Sequence, residues 1–213
     1  PVTGGNVSLY NESQGEPIYP TPVIGALGLM EDVTKSSMSG FKNAGDLVVL
    51  LGSAQINEDT SGLSGSEFLE VVHGLVCGIP SIDLSLEAAV QKACRRAVRE
   101  QVVLGSHDCS EGGLAITLAE CCIIGEKGFE SSLPAFARWD TALFGEYQSQ
   151  VIVSLNPGRI QELERICYEE NVPWCLLGQV TECTFKFDGL LDTVVSHLAD
   201  AWNHGLERTL CAT

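Results

Sequence analysis

Residues 46–51 constrain the fold most, because this segment ends in five consecutive apolar residues. A strand with one face in water alternates polar and apolar residues, whereas a continuous apolar strand needs cover on both faces. The segment therefore predicts a sheet with helices packed on each side. The chain has 213 residues and 45% hydrophobic content, which is enough to bury such a core in one domain or in two small ones.

Strand-like and helix-like patterns alternate along the rest of the chain. Ser64-Gly-Ser-Glu67 has the spacing of a capping box and predicts a helix of about three turns that runs through Leu75. Residues 83–101 are amphipathic, and Asn156-Pro157 is typical of the N-cap and first residue of another helix. Further strands are predicted at residues 23–30, 150–155, 175–181 and 183–187, and a last helix at residues 191–202. These elements predict an α/β (α+β) fold with a mixed β-sheet flanked by helices.

The charge balance restricts the classes of partner. The chain carries 12 basic and 28 acidic residues, a net charge of −16, which argues against a nucleic-acid surface or an anionic membrane surface. A phosphorylated ligand needs local positive potential, yet residues 1–90 contain only Lys35 and Lys42 against 11 acids. A divalent cation is therefore the expected neutraliser of any phosphate bound by this part of the chain.

Nine cysteines are scattered along the sequence, without a Cys-x-x-Cys pair or a Cys/His cluster at zinc spacing. An odd number of dispersed cysteines predicts free thiols in a reducing compartment, so we expect a cytoplasmic protein without a structural metal. The longest apolar runs are too short to span a bilayer.

Two glycines, an amide and a hydroxyl stand together in the run Gly4-Gly5-Asn6-Val7-Ser8. Glycine at positive φ lets backbone N–H groups approach an anion, an Asn carbonyl oxygen suits Mg²⁺, and a Ser hydroxyl can donate to a substrate. The motif therefore indicates a site for phosphate and Mg²⁺. Ordinary tight turns use the same residue types, so a purely structural turn is the alternative.

A second motif, Ser-His-Asp-Cys-Ser-Glu-Gly-Gly-Leu at residues 106–114, leads into an apolar helical run. Gly112 and Gly113 at the start of a helix, with Ser110 as N-cap, would present backbone amides to an anion or to another chain. His107 and Asp108 would add donors or acceptors beside them. The alternative is a helix cap with close helix–sheet packing.

Two further features each have a structural and a functional interpretation. Cys109 could be a nucleophile, but no separate base is identifiable and the Gly-x-Ser/Cys-x-Gly elbow is missing, so an inert thiol is expected. Lys92, Arg95, Arg96 and Arg99 share one face of the predicted helix at residues 83–101. A solvated face is expected there, and a phosphate or partner patch is the alternative.

Five motifs carry a family resemblance. They are Gly4-Gly-Asn-Val-Ser-Leu-Tyr-Asn11, Pro20-Thr-Pro-Val-Ile-Gly25, Gly65-Ser-Glu67, His107-Asp-Cys-Ser-Glu-Gly-Gly-Leu114, and Leu143-Phe-Gly-Glu146 with Gln148-Ser149. In this order they resemble the C-terminal part of phosphoribosylformylglycinamidine synthase, in the small form of its synthetase subunit. The fourth motif alone is similar to the wider aminoimidazole ribonucleotide synthetase-like superfamily.

The resemblance implies a fold, an activity and site residues. It implies a three-layer αβα unit at residues 16–213, preceded at residues 1–15 by the end of a nucleotide-binding domain. The implied enzyme is a ligase of purine biosynthesis that uses ATP and Mg²⁺ to convert formylglycinamide ribonucleotide and ammonia to formylglycinamidine ribonucleotide. Gly5 would contact ATP, Asn6 would ligate Mg²⁺ and Ser8 would contact the substrate. A glutaminase subunit and a small accessory subunit are the implied partners.

The catalytic histidine of the family and most of its Mg²⁺-binding carboxylates are expected upstream of Pro1. No catalytic residue is therefore expected in these 213 residues, and the isolated chain is expected to be inactive. Two alternatives stay open: a non-catalytic folding and subunit-docking module of the same complex, or a related enzyme of the superfamily.

Overall fold

The computed structural model describes residues 2–6, 12–18 and 21–211, and all structural statements concern these residues. The chain divides between Val33 and Thr34 into two compact units. In the first unit, the two-residue strands β1 (Glu12–Ser13) and β2 (Glu16–Pro17) form an antiparallel hairpin. Residues 21–30 have no regular secondary structure and are exposed. The domain boundary near residue 15 stays a prediction.

The second unit is built on a seven-stranded mixed sheet with the order β4-β6-β3-β7-β5-β8-β9. Its strands are β3 (Leu47–Leu51), β4 (Gly105–Asp108), β5 (Gly128–Ser131), β6 (Val151–Leu155), β7 (Trp174–Thr181), β8 (Thr184–Phe187) and β9 (Leu191–Val194). Neighbouring strands are antiparallel except β5 and β8, which are parallel.

Six α-helices accompany the sheet in the described residues. They are α1 (Glu67–His73), α2 (Leu84–Arg99), α3 (Gly113–Gly125), α4 (Trp139–Phe144), α5 (Ile160–Glu170) and α6 (Val195–Cys211). Short 3₁₀ turns lie at Val33–Lys35, Thr60–Leu63 and Pro157–Arg159. Within the part of the chain that the structure describes, no helix combines the length and apolar character needed to cross a membrane.

The central strand β3 explains the layering. Val48 and Leu50 face a core that α3 and α6 cover, whereas Val49 and Leu51 face a second core that α2 and α5 cover. All four side chains are buried, because successive residues of a strand point to opposite faces and both faces are covered. The predicted fold class, a mixed sheet between two helical layers, is confirmed.

Several element predictions hold in detail. The helix predicted at residues 83–101 is α2, and Asp83 caps it by accepting hydrogen bonds from Ser85 N and Leu86 N. Asn156 caps the turn that leads into α5, with Pro157 at its first position. The strands predicted at residues 46–51, 150–155, 175–181 and 183–187 correspond to β3, β6, β7 and β8.

Three element predictions are wrong. Residues 23–30 form no strand, because glycine and alanine separate the apolar residues and no described strand pairs with the segment. Helix α1 has only seven residues, starts from Ser66 as N-cap and ends where Gly74 takes φ 65°. Residues 191–194 form β9, so the last helix starts only at Val195. Strand β4 corresponds to no predicted element.

The basic face of α2 is divided between ion pairs and solvent. Lys92 Nζ lies 2.6 Å from Glu170 Oε2, and Arg96 lies 2.6 Å from Glu169 and 3.1 Å from Glu170, all across the α2–α5 contact. Arg95 and Arg99 are exposed and make no ion pair with any described residue. The predicted solvated face is therefore correct for two of the four basic residues, while the other two join α2 to α5.

This contact predicts a specific pH dependence of stability. Lys92 and then Arg96 hold the pKa of Glu170 below its ordinary value of 4.5. A carboxylate with a lowered folded-state pKa stabilises the fold above its unfolded-state pKa and loses that contribution as the pH falls through the folded-state pKa. We expect Glu170→Gln to lower the melting temperature at pH 7 and to flatten its decline between pH 6 and pH 3. Melting curves across this range measure both effects.

The matched control is Glu164→Gln on the same helix, because Glu164 is exposed and makes no ion pair with a described residue. Its melting temperature should follow that of the unchanged protein at every pH. Parallel curves for the Glu170 variant and the unchanged protein would contradict the assigned ion pairs.

Candidate functional site

The N-terminal motif lies in the first unit. Gly4, Gly5 and Asn6 are exposed and belong to no helix or strand. Neither glycine has φ in the left-handed region, and a Cβ built on either would meet nothing within 4 Å. The backbone at both glycines is thus open to a ligand, although the positive φ that would form an anion nest is not present. Ser8 lies outside the described residues.

The second motif forms β4, a tight turn and the start of α3. Gly112 and Gly113 have φ values of 78° and 67°, and a Cβ built on Gly113 would lie 2.6 Å from the carbonyl oxygen of Gly145. Only glycine fits this combination of left-handed backbone and close contact. The N-cap is Gly112, without a side-chain cap bond, and Ser110 accepts a hydrogen bond from Gly113 N through its carbonyl oxygen. The predicted Ser110 side-chain cap is therefore wrong, because the left-handed turn replaces it.

The Glu146 carboxylate occupies the position at which an anion was expected. Its Oε1 atom accepts hydrogen bonds from Gly112 N at 2.8 Å and from Glu67 N at 2.9 Å. These N–H groups stand at the starts of α3 and α1, where backbone donors lack partners within the helix. We call this pair of hydrogen bonds the Glu146 bridge. A single carboxylate oxygen thereby holds two helix starts from separate parts of the sequence.

Contacts on both sides of Glu146 hold the bridge in place. The amide N–H of Glu146 donates to Gly62 O at 2.7 Å, and the hydroxyl of Tyr147 donates to Asp59 O. Phe68 of α1 stacks on Phe144 of α4 with ring centroids 5.1 Å apart. The 3₁₀ turn before α1, helix α1 and the end of α4 therefore form one packed assembly around the carboxylate.

His107 lies on β4 and is turned toward α3. Its Nε2 atom is 3.6 Å from Glu120 Oε2, and its Nδ1 atom is 2.9 Å from the carbonyl oxygen of Asp108. The Asp108 side chain is exposed, and its nearer oxygen is 3.5 Å from His107 Nδ1. The structure thus connects His107 to α3 through Glu120 and leaves the Asp108 carboxylate at the surface.

An open cleft of about 350 Å³ lies beside the Gly112 turn. It is lined by Glu67, Glu111, Gly112, Ile116, Glu120 and Trp202. The three carboxylates make no ion pair with a described Lys or Arg. Their field favours a cationic group in this cleft and opposes a second anion. No group of three or more His, Cys, Asp or Glu side chains suited to a metal ion occurs in the described ranges.

Cys109 lies next to this site, but its thiol is not a reactive nucleophile. Burial, with a smaller contribution from the nearby Asp108 carboxylate, raises the pKa of its thiol to about 12. Since the thiolate is the nucleophile, such a group is almost wholly protonated at neutral pH. All nine cysteines lie in described residues and are free, and burial also raises the pKa of Cys121, Cys122, Cys167 and Cys175.

The residues of the second motif thus come together only in part. The structure brings Ser110, Gly112 and Gly113 into one turn and links His107 to the adjoining cleft through Glu120. Glu146 and Trp202 lie at this site, although neither was predicted to have a role there. The sequence could have indicated a role for Glu146, because this residue belongs to the Leu143-Phe-Gly-Glu146 motif. It gave no such indication for Trp202, which fits the pattern of the last helix.

The fold and these motifs agree with a known family. The family described as "AIR synthase related protein, C-terminal domain" matches residues 43–187, so the chain belongs to this family. The match covers the whole region from before β3 to the end of β8, including the Gly112 turn and Glu146. It confirms the superfamily resemblance predicted from the sequence.

Two relatives show which kind of protein within the family the chain is similar to. The chain is 42% identical over 221 residues to "Phosphoribosylformylglycinamidine synthase subunit PurL" of Anaeromyxobacter sp. (strain Fw109-5), covering 99% of this chain and 28% of the relative. It is 48% identical over 184 residues to the protein of the same name from Synechococcus sp. (strain JA-3-3Ab), covering 84% of this chain and 23% of the relative. The chain therefore spans about a quarter of the length of these relatives.

Solved structures support the fold. "T. maritima PurL complexed with FGAR" superposes with a TM-score of 0.65 at 20% identity, covering 78% of this chain and 30% of that chain. "Structure of PurLQS from Thermotoga maritima" superposes with a TM-score of 0.60 at 17% identity, covering 78% and 28%. At this identity the likeness concerns the fold.

The Glu146 bridge predicts a graded response to substitution. Glu146→Ala leaves the Gly112 and Glu67 N–H groups without their acceptor, and a hydrogen bond to a charged group contributes about 1.5–3 kcal/mol. We expect the alanine variant to lose free energy of unfolding in that range. Glu146→Gln retains an acceptor oxygen without the charge and should lose about half as much. Urea unfolding of the three proteins measures the series, and equal losses for both variants would contradict the bridge.

Cysteine burial predicts a labelling pattern. Cys77, Cys183 and Cys211 are exposed, whereas Cys121, Cys122 and Cys167 are buried and Cys109 is partly buried. Burial raises the pKa of these last four thiols. We expect iodoacetamide at pH 8 to modify the three exposed thiols of the folded protein and to leave Cys109 unmodified until urea is added. Peptide mass spectrometry identifies the modified sites. Labelling of Cys109 as fast as Cys183 would mean that it is a reactive thiol.

Proposed function

We propose that the full-length protein is an ATP-dependent synthase that converts formylglycinamide ribonucleotide and ammonia to formylglycinamidine ribonucleotide. The observation that supports this most is the 42–48% identity to PurL subunits across 84–99% of the chain. In the reaction, the substrate amide oxygen attacks the γ-phosphorus of ATP and ADP leaves. Ammonia then adds to the activated carbon, and the oxygen departs as phosphate. We place this reaction in the cytoplasm, where free thiols persist.

The N-terminal motif is proposed as this chain's contribution to the active site. The open backbone at Gly4 and Gly5 lets a phosphate of ATP approach the N–H of Gly5 closely. The Asn6 amide oxygen is exposed and is a hard donor of the kind that Mg²⁺ prefers, so it fits as one of several ligands. Bound Mg²⁺ would neutralise phosphate charge in a strongly acidic chain. The Ser8 hydroxyl would donate a hydrogen bond to the formylglycinamide substrate.

Substrate and partner assignments rest on related proteins. The solved Thermotoga maritima structures include PurL complexed with FGAR, PurL complexed with ATP, and PurLQS. We therefore propose formylglycinamide ribonucleotide and ATP as substrates, with a glutaminase subunit and a small accessory subunit as partners. The second candidate function, a docking module without catalysis, is favoured by the acidic cleft beside Trp202, which suits a protein partner better than a phosphate.

Substitutions of Asn6 and Ser8 in the full-length protein test the proposed active site. Asn6→Leu removes a metal ligand, so ATP-dependent turnover should fall sharply and its Mg²⁺ requirement should rise. Ser8→Ala removes one hydroxyl contact to a charged substrate, which is worth about 1.5–3 kcal/mol, so kcat/KM for the formylglycinamide substrate should drop about 10- to 100-fold. Steady-state kinetics with ammonia as nitrogen donor measures both variants.

Ser13→Ala is the control, because Ser13 is an exposed serine in the neighbouring β1 hairpin. It should leave both kinetics and stability unchanged. Unchanged kinetics with lowered melting temperatures for the Asn6 and Ser8 variants would identify an ordinary turn. Binding experiments with the isolated 213-residue chain test the second candidate function. A docking module would bind the partner subunits but would bind neither ATP nor the formylglycinamide substrate.

A further inference from the structure

Helix α6 extends beyond the core that it covers. Val195 is buried and Leu198 packs against the core shared with α3. One and two turns later on the same side, Trp202 and Leu206 are 60% and 76% exposed. Large apolar side chains at helical spacing are typical of a face that packs against something.

The exposed part of α6 adjoins α3. Ile116 and Glu120 of α3 line the same cleft as Trp202, and the two helices pack against each other. We call this surface the α3–α6 groove: the cleft residues Glu67, Glu111, Ile116, Glu120 and Trp202, continued along α6 by Leu206, which lies four residues after Trp202. It combines apolar and aromatic side chains with three carboxylates.

Among the described residues, only one basic side chain adjoins the carboxylates of the groove: His107, whose Nε2 atom is 3.6 Å from Glu120 Oε2. Glu67, Glu111 and Glu120 make no ion pair with a described Lys or Arg. The one arginine of α6, Arg208, binds Asp200 at 2.7 Å, and His204 also lies 3.1 Å from Asp200. An aromatic ring beside carboxylates that no described Lys or Arg neutralises suits a guanidinium or ammonium group with an apolar stem.

We propose that the α3–α6 groove docks a segment of a partner subunit that presents apolar side chains flanked by Lys or Arg. Charge complementarity selects this occupant. A second copy would bring its own net charge of −16 and its own carboxylates to the same surface, so a symmetric dimer through this groove would be repulsive. The inference deepens the proposed function and rests on it, because the partner is a subunit of the proposed synthase.

Two substitutions of Leu206 test the charge of the occupant. Leu206→Lys and Leu206→Glu remove the same apolar contact but add opposite charges, and Leu206 is open to solvent, so neither should impair folding. Binding of the purified glutaminase and accessory subunits to full-length protein is measured by sedimentation. We expect Leu206→Lys to weaken binding at least about 30-fold and Leu206→Glu about threefold, a difference of about 1.4 kcal/mol.

Tyr168→Lys is the matched control, because Tyr168 is 86% exposed on α5 across the sheet. It should leave the dissociation constant unchanged. Glutamine-dependent turnover should fall with binding in the Leu206→Lys variant, while ammonia-dependent turnover stays at the level of the unchanged protein. If the unchanged protein shows no ammonia-dependent turnover, the proposed function fails, and the binding series still decides the docking proposal.

Hydroxyl-radical footprinting distinguishes the other possible occupants. In full-length protein without partners, we expect Trp202 and Leu206 to be oxidised rapidly, and added partner subunits should slow this oxidation several-fold. Protection before any partner is added would mean that the same polypeptide or a second copy covers the groove, and it would overturn the proposal. Equal binding by the two Leu206 variants would also overturn it.

Discussion

One carboxylate oxygen determines how the helix starts at the candidate site are arranged. Glu146 Oε1 accepts from Gly112 N and Glu67 N, which belong to segments far apart in the sequence. Helix starts carry unsatisfied donors and a positive dipole end, so a carboxylate between two of them is stabilised by both. The protein thus supplies its own anion at the Gly112 turn. The cleft beside it presents carboxylates, which is why this surface suits a cationic partner.

The layers of the fold could be predicted because each depends on a local pattern. Continuous apolar residues in β3 required cover on both faces, and the periodicity of α2 and α5 identified the helices that cover one of them. Asp83 and Asn156 fixed the starts of their helices through side-chain oxygen atoms within three residues. An element whose cause lies within a few neighbouring residues can therefore be predicted from the sequence alone.

The remaining features depend on contacts between distant residues. Ser110 has the chemistry of an N-cap, but the close approach of Gly145 to Gly113 selects a left-handed turn instead. The capping pattern at Ser64 pointed to a longer helix, yet Gly74 ends α1 and the Glu146 bridge holds its start. Residues 23–30 have an apolar pattern without a strand to pair with. Such outcomes are set by tertiary packing, which overrides local propensity.

Amide hydrogen exchange at Gly112 and Glu67 tests the central claim, that one oxygen of Glu146 holds both helix starts. NMR of the isotope-labelled chain resolves the two amides, and Glu146→Ala is compared with the unchanged protein at the same pH. The account predicts that exchange at both amides accelerates together, at least about tenfold, while amides of the distant helix α5 keep their rates. Acceleration at only one of the two amides, or at neither, would contradict it.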